Sequence, residues 1–152
     1  MMEHEAVLIS IRPKWCYLIL TGKKTVEVRK NRPKLKTPFK CYIYMTAGDY
    51  HCRKYGWLTA VFPPSGGIYN GAMMIVGEFV CDYISRGYPD LYDEVDVKQS
   101  CLTPQEISKY VNGKFPYFWH ISELKIYDEP KPLPAGIKRP PQSWCYVSEM
   151  AG

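Results

Sequence analysis

The feature that most constrains this chain is a strand, a helix and a second strand that follow one another almost without linkers up to Lys30. The aliphatic run from Ala6 to Ile11 is typical of a buried β-strand. A helix is predicted from Pro13 to Thr21, because proline is favoured at the first helical position, and Gly22 suits its left-handed cap. Because the linkers between these elements are so short, the unit can fold in few ways. We expect the rest of the chain to pack around it.

The second strand of this unit, Thr25 to Lys30, alternates in a way that predicts two different faces. Its two valines share one face, and Thr25, Glu27 and Arg29 share the other. A carboxylate and a guanidinium two residues apart on one face can hold a polar ligand through charge-assisted hydrogen bonds. They can equally form an ordinary ion pair on a solvated sheet, and the spacing leaves both interpretations open.

The remaining patterns predict an α+β fold with a mostly antiparallel β-barrel of about six strands and two main short helices. Gly77 lies in the middle of one predicted strand and indicates a bulge. A capping box at Thr103 to Glu106 begins the second helix, which should end near Val111. The acidic stretch 85–100 and the proline-rich stretch 130–141 are predicted to lack regular structure. The other strands are predicted at Phe39–Thr46, Ala72–Ile84, Tyr117–Tyr127 and Ser143–Ser148.

The length of 152 residues fits a single domain, residues 1–152. Residues 47–71 contain five glycines and a Pro-Pro pair. We predict an irregular insertion there with a short helix near residues 55–61. Long irregular segments tend to be functional, so a protein partner that binds through 47–71 is one hypothesis.

The net charge of +5 is a mild basic excess that favours a polyanionic partner. The strip from Arg29 to Lys36 carries five cations, which suits either phosphate contacts or a solvated loop. The six cysteines lack CxxC spacing, so we expect no metal site and no cofactor. The start of the chain lacks a signal-peptide pattern, and no apolar run could span a bilayer. We therefore expect a cytoplasmic protein that does not enter a membrane.

The stretch from Gly22 to Arg29 resembles the G-x-K-x-x-E-x-R signature of the ASCH domain family, with every signature position matched. SIRPKWCYLILTG is similar to the first strand and helix of that family. YFWHISELKIYDEPKPL and RPPQSWCYV resemble its small phage and bacterial members. The resemblance implies a PUA-like β-barrel with a cleft that holds RNA or a nucleobase, lined by Lys24, Glu27 and Arg29. Proximity along the chain adds Ser10, Arg12 and Lys14 at its mouth.

Some relatives resemble amidohydrolases that deacylate modified cytidine with a lysine and a nucleophilic threonine. Lys24 keeps the lysine position, but Glu27 occupies the position of the threonine. Thr25 shares the face of Glu27 but lies about 6–7 Å from it along the strand. A carboxylate cannot replace a hydroxyl nucleophile in that scheme. If the chain is instead a small hydrolase that acts on a modified nucleoside or on RNA, Lys24 and Glu27 are the catalytic candidates. Arg29 and a tyrosine could assist Lys24 in a ribonuclease.

The predicted strand at residues 117–127 carries further candidates. Tyr117 and Trp119 share one face and could stack on bases if that face meets the cleft, or pack in the core if it does not. His120 lies on the other face, where a structural role is the simpler interpretation. Taken together, binding of RNA or a modified nucleoside is our first hypothesis, and hydrolysis in the same cleft is the alternative.

Overall fold

The computed structural model describes residues 5–49 and 56–150. Within these ranges it contains three α-helices, α1 (Pro13–Leu20), α2 (Glu94–Ser100) and α3 (Pro104–Val111), and a 3-10 helix at Gly56–Thr59. None of these helices is long and apolar enough to cross a membrane. The strands are β1 (Ala6–Ile11), β2 (Val26–Arg29), β3 (Phe39–Met45), β4 (Ala60–Val61), β5 (Tyr69–Asn70), β6 (Met74–Arg86), β7 (Tyr117–Lys131) and β8 (Trp144–Val147).

Six strands form one sheet in the order β2-β7-β6-β3-β1-β8, and the sheet curls into a half-barrel. β1 pairs with β3 in parallel, and the other neighbours in this sheet are antiparallel. β2 and β8 are the two edges. The short β4 and β5 pair separately. The predicted α+β class with a mostly antiparallel, barrel-like sheet is confirmed.

The main core lies inside the curl, where one face of β1, β3, β6 and β7 meets α1. Every residue of β1 is buried, as its aliphatic sequence predicts. A smaller apolar cluster on the other face of the sheet joins Val26 and Val28 to Ile107 of α3 and Phe118 of β7. β2 is therefore covered on both faces, and its motif side chains point toward the main core.

Local sequence rules account for the ends of the helices. Pro13 is the first residue of α1, and Gly22 adopts the left-handed φ of +81° expected of it just past the helix. Thr103 and Glu106 form the predicted capping box, with reciprocal side-chain to backbone bonds of 3.1 and 3.0 Å. α3 ends before left-handed Asn112. These signals are local, so the sequence alone is enough to place them.

Gly77 marks an irregularity in the ladder between β6 and β7, as predicted. A Cβ atom added to Gly77 would lie 2.5 Å from the backbone oxygen of Lys125. A side chain at position 77 would clash with the opposing backbone, so only glycine fits there. Its absence of a side chain lets the two backbones approach closely where the ladder is irregular.

Two predicted irregular stretches are wrong in part. The stretch 85–100 contains α2, because the Asp93 carboxylate accepts hydrogen bonds from the first-turn amides of Val95 and Asp96. β7 extends to Lys131, into the predicted proline-rich linker. In the predicted insertion, the described part holds the 3-10 helix, β4 and β5. Residues 50–55 of that insertion, among them His51 and Cys52, lie outside the described residues.

Candidate functional site

The motif side chains form one buried ionic cluster, which we call the motif cluster: Lys24, Glu27 and Arg29. As whole residues they are 1%, 6% and 7% exposed. The Glu27 carboxylate lies between the two cations, with Oε1 at 3.2 Å from Lys24 Nζ and Oε2 at 2.6 Å from Arg29 Nη2. The helix α1 and the turn at Gly22 bring Lys24 to the start of β2, which places it beside the alternating pair.

The guanidinium of Arg29 uses all five of its N–H donors. Nε and Nη2 both donate to Glu27 Oε2, at 3.0 and 2.6 Å. Nη2 also donates to the carbonyl oxygen of Ser10 at 2.8 Å. Nη1 donates to the carbonyl and the hydroxyl oxygens of Ser143, at 3.2 and 3.0 Å. Arg29 thereby ties β2 to β1 and to the residue that precedes β8, a role for which a planar five-donor group is suited.

The ammonium of Lys24 is also fully engaged. It donates to the carbonyl oxygen of Ser100 at 2.6 Å as well as to Glu27, and it lies 5.3 Å from the ring centre of Trp15. Ser100 is the last residue of α2, where unpaired carbonyls favour a cation. Lys24 therefore connects α2 and α1 to the motif cluster.

The electrostatics keep Glu27 ionised. Burial would raise the pKa of its carboxyl, but the charges of Arg29 and Lys24 and their hydrogen bonds outweigh burial and lower that pKa. Cys16 lies nearby in α1, and burial raises the pKa of its thiol, which donates to the Ile11 carbonyl oxygen at 3.6 Å. The cluster thus offers a fixed carboxylate, while its neighbouring thiol stays protonated.

Two cation–aromatic pairs flank the motif cluster. The Lys14 ammonium lies 4.7 Å from the ring centre of Trp15 on α1, and the Lys30 ammonium lies 5.0 Å from the ring centre of Tyr110 on α3. Burial raises the pKa of Tyr110, and the charges of Arg29 and Glu27 both act on it. Tyr110 is 40% exposed as a whole residue, and its ring contacts the ammonium of Lys30, which directly follows Arg29 in the chain. We call these four side chains the rim.

The two edges of the sheet meet beside this site through side chains. The indole N–H groups of Trp119 and Trp144 donate to the backbone oxygen and the side-chain oxygen of Asn31, at 3.3 and 2.8 Å. The two indole rings contact each other edge to face at 5.8 Å between centres. Lys34 adds a backbone N–H bond to the Tyr146 hydroxyl at 2.8 Å. We call this line of contacts between β2 and β8 the seam.

The residues predicted from the sequence occupy different positions around the site. Arg12, which precedes the first residue of α1, is exposed like Lys14, and Thr25 is half-buried just before β2. Tyr117 is half-buried against the main core. Trp119 is fully buried in that core, where its ring packs against Phe39 and Trp144. The inward face of β7 therefore packs in the core here, and Trp119 is not available as a stacking surface.

His120 lies on the opposite face of the sheet from the motif cluster. Its Nε2 is 3.1 Å from Asp96 Oδ1 and 3.5 Å from the Ser85 hydroxyl oxygen. The ring of Tyr83 packs against it at 5.1 Å between centres. His120 thus links α2 to β6 and β7, away from the motif.

Nothing in the sequence indicates the long-range partners of the two cations. Ser100 and Ser143 lie 76 and 114 residues from the cations that they hold. Tyr110 falls in a correctly predicted helix, but nothing in that helix indicates that it faces β2. In the described ranges, no group of three or more histidine, cysteine, aspartate or glutamate side chains is arranged to hold a metal ion.

The ASCH domain family model matches residues 9–125 of this chain. A search of curated protein sequences finds no match. The crystal structure of ASCH from Zymomonas mobilis superposes with a TM-score of 0.69 at 20% identity, over 95% of this chain and 89% of that one. A mutant of the same Zymomonas mobilis protein gives a TM-score of 0.68 at 18% identity, over 98% and 92%. These structures share the fold, and the family model covers most of the chain, which therefore belongs to the ASCH domain family.

Proposed function

We propose that this chain binds RNA, or a ligand that contains a nucleobase, in a polar cleft lined by the motif cluster and its rim. One observation carries the proposal. An ionised carboxylate and a guanidinium lie beside two aromatic rings, and each ring is in contact with a lysine ammonium. Aromatic rings stack on bases, lysines neutralise phosphates, and a fixed carboxylate accepts hydrogen bonds from base N–H groups. These are the three chemical contacts that a nucleotide requires.

Surrounding charge supports a phosphate-containing ligand. Arg12 and Lys14 are exposed at the start of α1, and the strip from Lys30 to Lys36 is mostly exposed after β2. A groove lined by cations attracts a nucleic acid backbone and makes binding depend on salt. In this arrangement Arg29 orients Glu27, since its own donors are all used within the protein.

The same contacts favour binding over hydrolysis by Lys24 and Glu27. Lys24 Nζ donates to two oxygen atoms and has its third side toward Trp15. A carboxylate with a lowered pKa is a weak general base. Turnover of acylated cytidine or of RNA that is lost in Lys24→Ala, in a variant still folded by circular dichroism, would support the hydrolase instead.

The direct test uses the rim, because those side chains can be changed without removing a buried charge. Fluorescence anisotropy of a labelled single-stranded RNA should show about tenfold weaker binding for Tyr110→Ala, within the range for loss of one stacked base. Lys30→Ala should weaken binding and reduce its salt dependence. Tyr83→Ala removes an exposed tyrosine that lies outside the rim and is the matched control. Equal affinity of the Tyr110 and Tyr83 variants with the unmodified protein would overturn the proposal.

A further inference from the structure

A cavity lies on the face of the sheet away from the motif cluster. Its volume is about 300 Å³, and it opens between the end of β6, the loop that follows, and α2. Ser85 and Asp96 are among its polar lining residues, and Phe118 separates it from the β2 valines. The volume is at the small end for ligand pockets and suits one long side chain.

The surface around the mouth of this cavity is rich in exposed apolar side chains. Ten large apolar side chains are exposed in the described part of the chain, and five of them gather here. Four line the cavity, and Phe115 contacts Tyr88 at 5.6 Å between ring centres. Large exposed apolar groups gathered in one place mark a surface that another molecule covers. The four cavity-lining members are Tyr83, Tyr88, Leu91 and Val95.

Charge indicates which kind of molecule fits. Residues 82–96 contain five acidic residues and one arginine, a net charge of −4 in a chain whose total is +5. Asp96 is buried, with Oδ1 at 3.1 Å from His120 and Oδ2 accepting from the Ser85 hydroxyl at 2.8 Å. A carboxylate has about four acceptor positions, so it retains capacity for another donor. This face therefore repels nucleic acid and attracts cations.

The surface already holds one guanidinium. The side chain of Arg86 lies 5.2 Å from the ring centre of Tyr88 and 4.8 Å from that of Phe115. Planar guanidinium groups stack on aromatic rings more readily than ammonium groups do. The remaining exposed rings can stack on a partner's arginine in the same manner. Leu91 can pack against the apolar residues next to that arginine.

We propose that this face, which we call the acidic face, docks an extended segment of another protein in which arginine alternates with apolar residues. One arginine enters the cavity toward Asp96, and the apolar residues cover Leu91 and Val95. The contacts are separate from the motif cluster, so this proposal does not depend on nucleic acid binding.

The test uses a short labelled peptide in which arginine alternates with leucine, followed by fluorescence anisotropy. We expect binding that weakens with salt, about tenfold weaker binding to Leu91→Ser, and no change for Ile68→Ser. Leu91 and Ile68 are both highly exposed, at 72% and 62%, so neither change should disturb folding. Tyr110→Ala should leave peptide binding unchanged.

Five results would overturn the proposal. The peptide does not bind, or the Leu91 and Ile68 variants lose affinity equally. The peptide with glutamate in place of arginine binds as well. Single-stranded RNA competes for the same surface. Light scattering shows a mass that rises with concentration in the unmodified protein but not in Leu91→Ser, which would make a second copy of this chain the occupant.

Discussion

Two lysine–glutamate pairs in this sheet have the same Nζ–Oε distance of 3.2 Å but very different surroundings. The side chains of Lys24 and Glu27 are 1% and 8% exposed, whereas those of Lys40 and Glu78 are 32% and 19% exposed. The first pair lies inside the curl beside Arg29. The second lies on the other face, where the Tyr127 hydroxyl also donates to Glu78 at 2.7 Å.

At equal distance, the burial of an ion pair decides how many further hydrogen bonds its charges need. An exposed pair keeps much of its water and contributes little, about 0–1 kcal/mol. A buried pair loses that water and is tolerated only when further hydrogen bonds satisfy each charge. Arg29 and the Ser100 carbonyl supply those bonds in the motif cluster. The cluster therefore links β2 to α2, β1 and the residue before β8, and under the proposed function the rim meets the ligand first.

The largest expected effect comes from Arg29→Ala. This change leaves the Glu27 carboxylate paired on one side only and removes the donors to Ser10 and Ser143. We expect the free energy of unfolding to fall by about 3–5 kcal/mol, the usual cost of breaking a buried pair. Urea denaturation measures it. A loss below about 1 kcal/mol would mean that the cluster behaves like an exposed pair.

Arg29→Lys sharpens the same point, because it keeps the charge and removes the fork of donors. A lysine cannot reach Glu27, Ser10 and Ser143 together. We expect a loss of about 1.5–3 kcal/mol, comparable to one hydrogen bond to a charged group. Stability equal to that of the unmodified protein would show that the charge of Arg29, and not its set of donors, stabilises the motif cluster.

Acid should weaken the motif cluster as Glu27 becomes protonated. Its folded-state pKa lies below the ordinary 4.5, so its contribution to stability is complete above that pH. The contribution is lost as the pH falls through the folded-state pKa. The stability difference between the unmodified protein and Glu27→Gln should therefore narrow below pH 4.5. A difference that stays constant with pH would contradict the lowered pKa.

The smallest expected effect is that of Glu78→Gln. The amide oxygen can still accept from Tyr127, and the lost pair with Lys40 is partly solvated. We expect a change of at most about 1 kcal/mol by urea denaturation. A cost as large as that of Arg29→Ala would remove the distinction between the two pairs.

The sequence predicted what depends on neighbours along the chain. α1, the cap at Gly22, the alternation of β2 and the capping box of α3 all follow from local rules, and so does the bulge at Gly77. α2 was missed because one capping carboxylate at Asp93 starts a short helix inside an acidic stretch that is typical of a loop.

The site was less predictable than the fold. Spacing placed Glu27 and Arg29 on one face, but it did not show that Ser143 would complete the bonds of Arg29 from 114 residues away. Tyr110 meets the site through the packing of α3 against β2, which alternation cannot reveal. Trp119 lies on the same face of the sheet as Glu27, but the curvature of the sheet buries its side chain in the core. The positions of Tyr110 and Trp119 therefore depend on long-range packing and on the curvature of the sheet.

The most direct test of the account is a nuclear magnetic resonance titration of the folded chain with a short single-stranded RNA. We predict that the largest amide shift changes fall on residues 12–15, 24–36 and 106–110, around the motif cluster and rim, while residues 82–96 of the acidic face change little. Shift changes concentrated at 82–96, or none at the motif cluster, would contradict the cleft as the binding site.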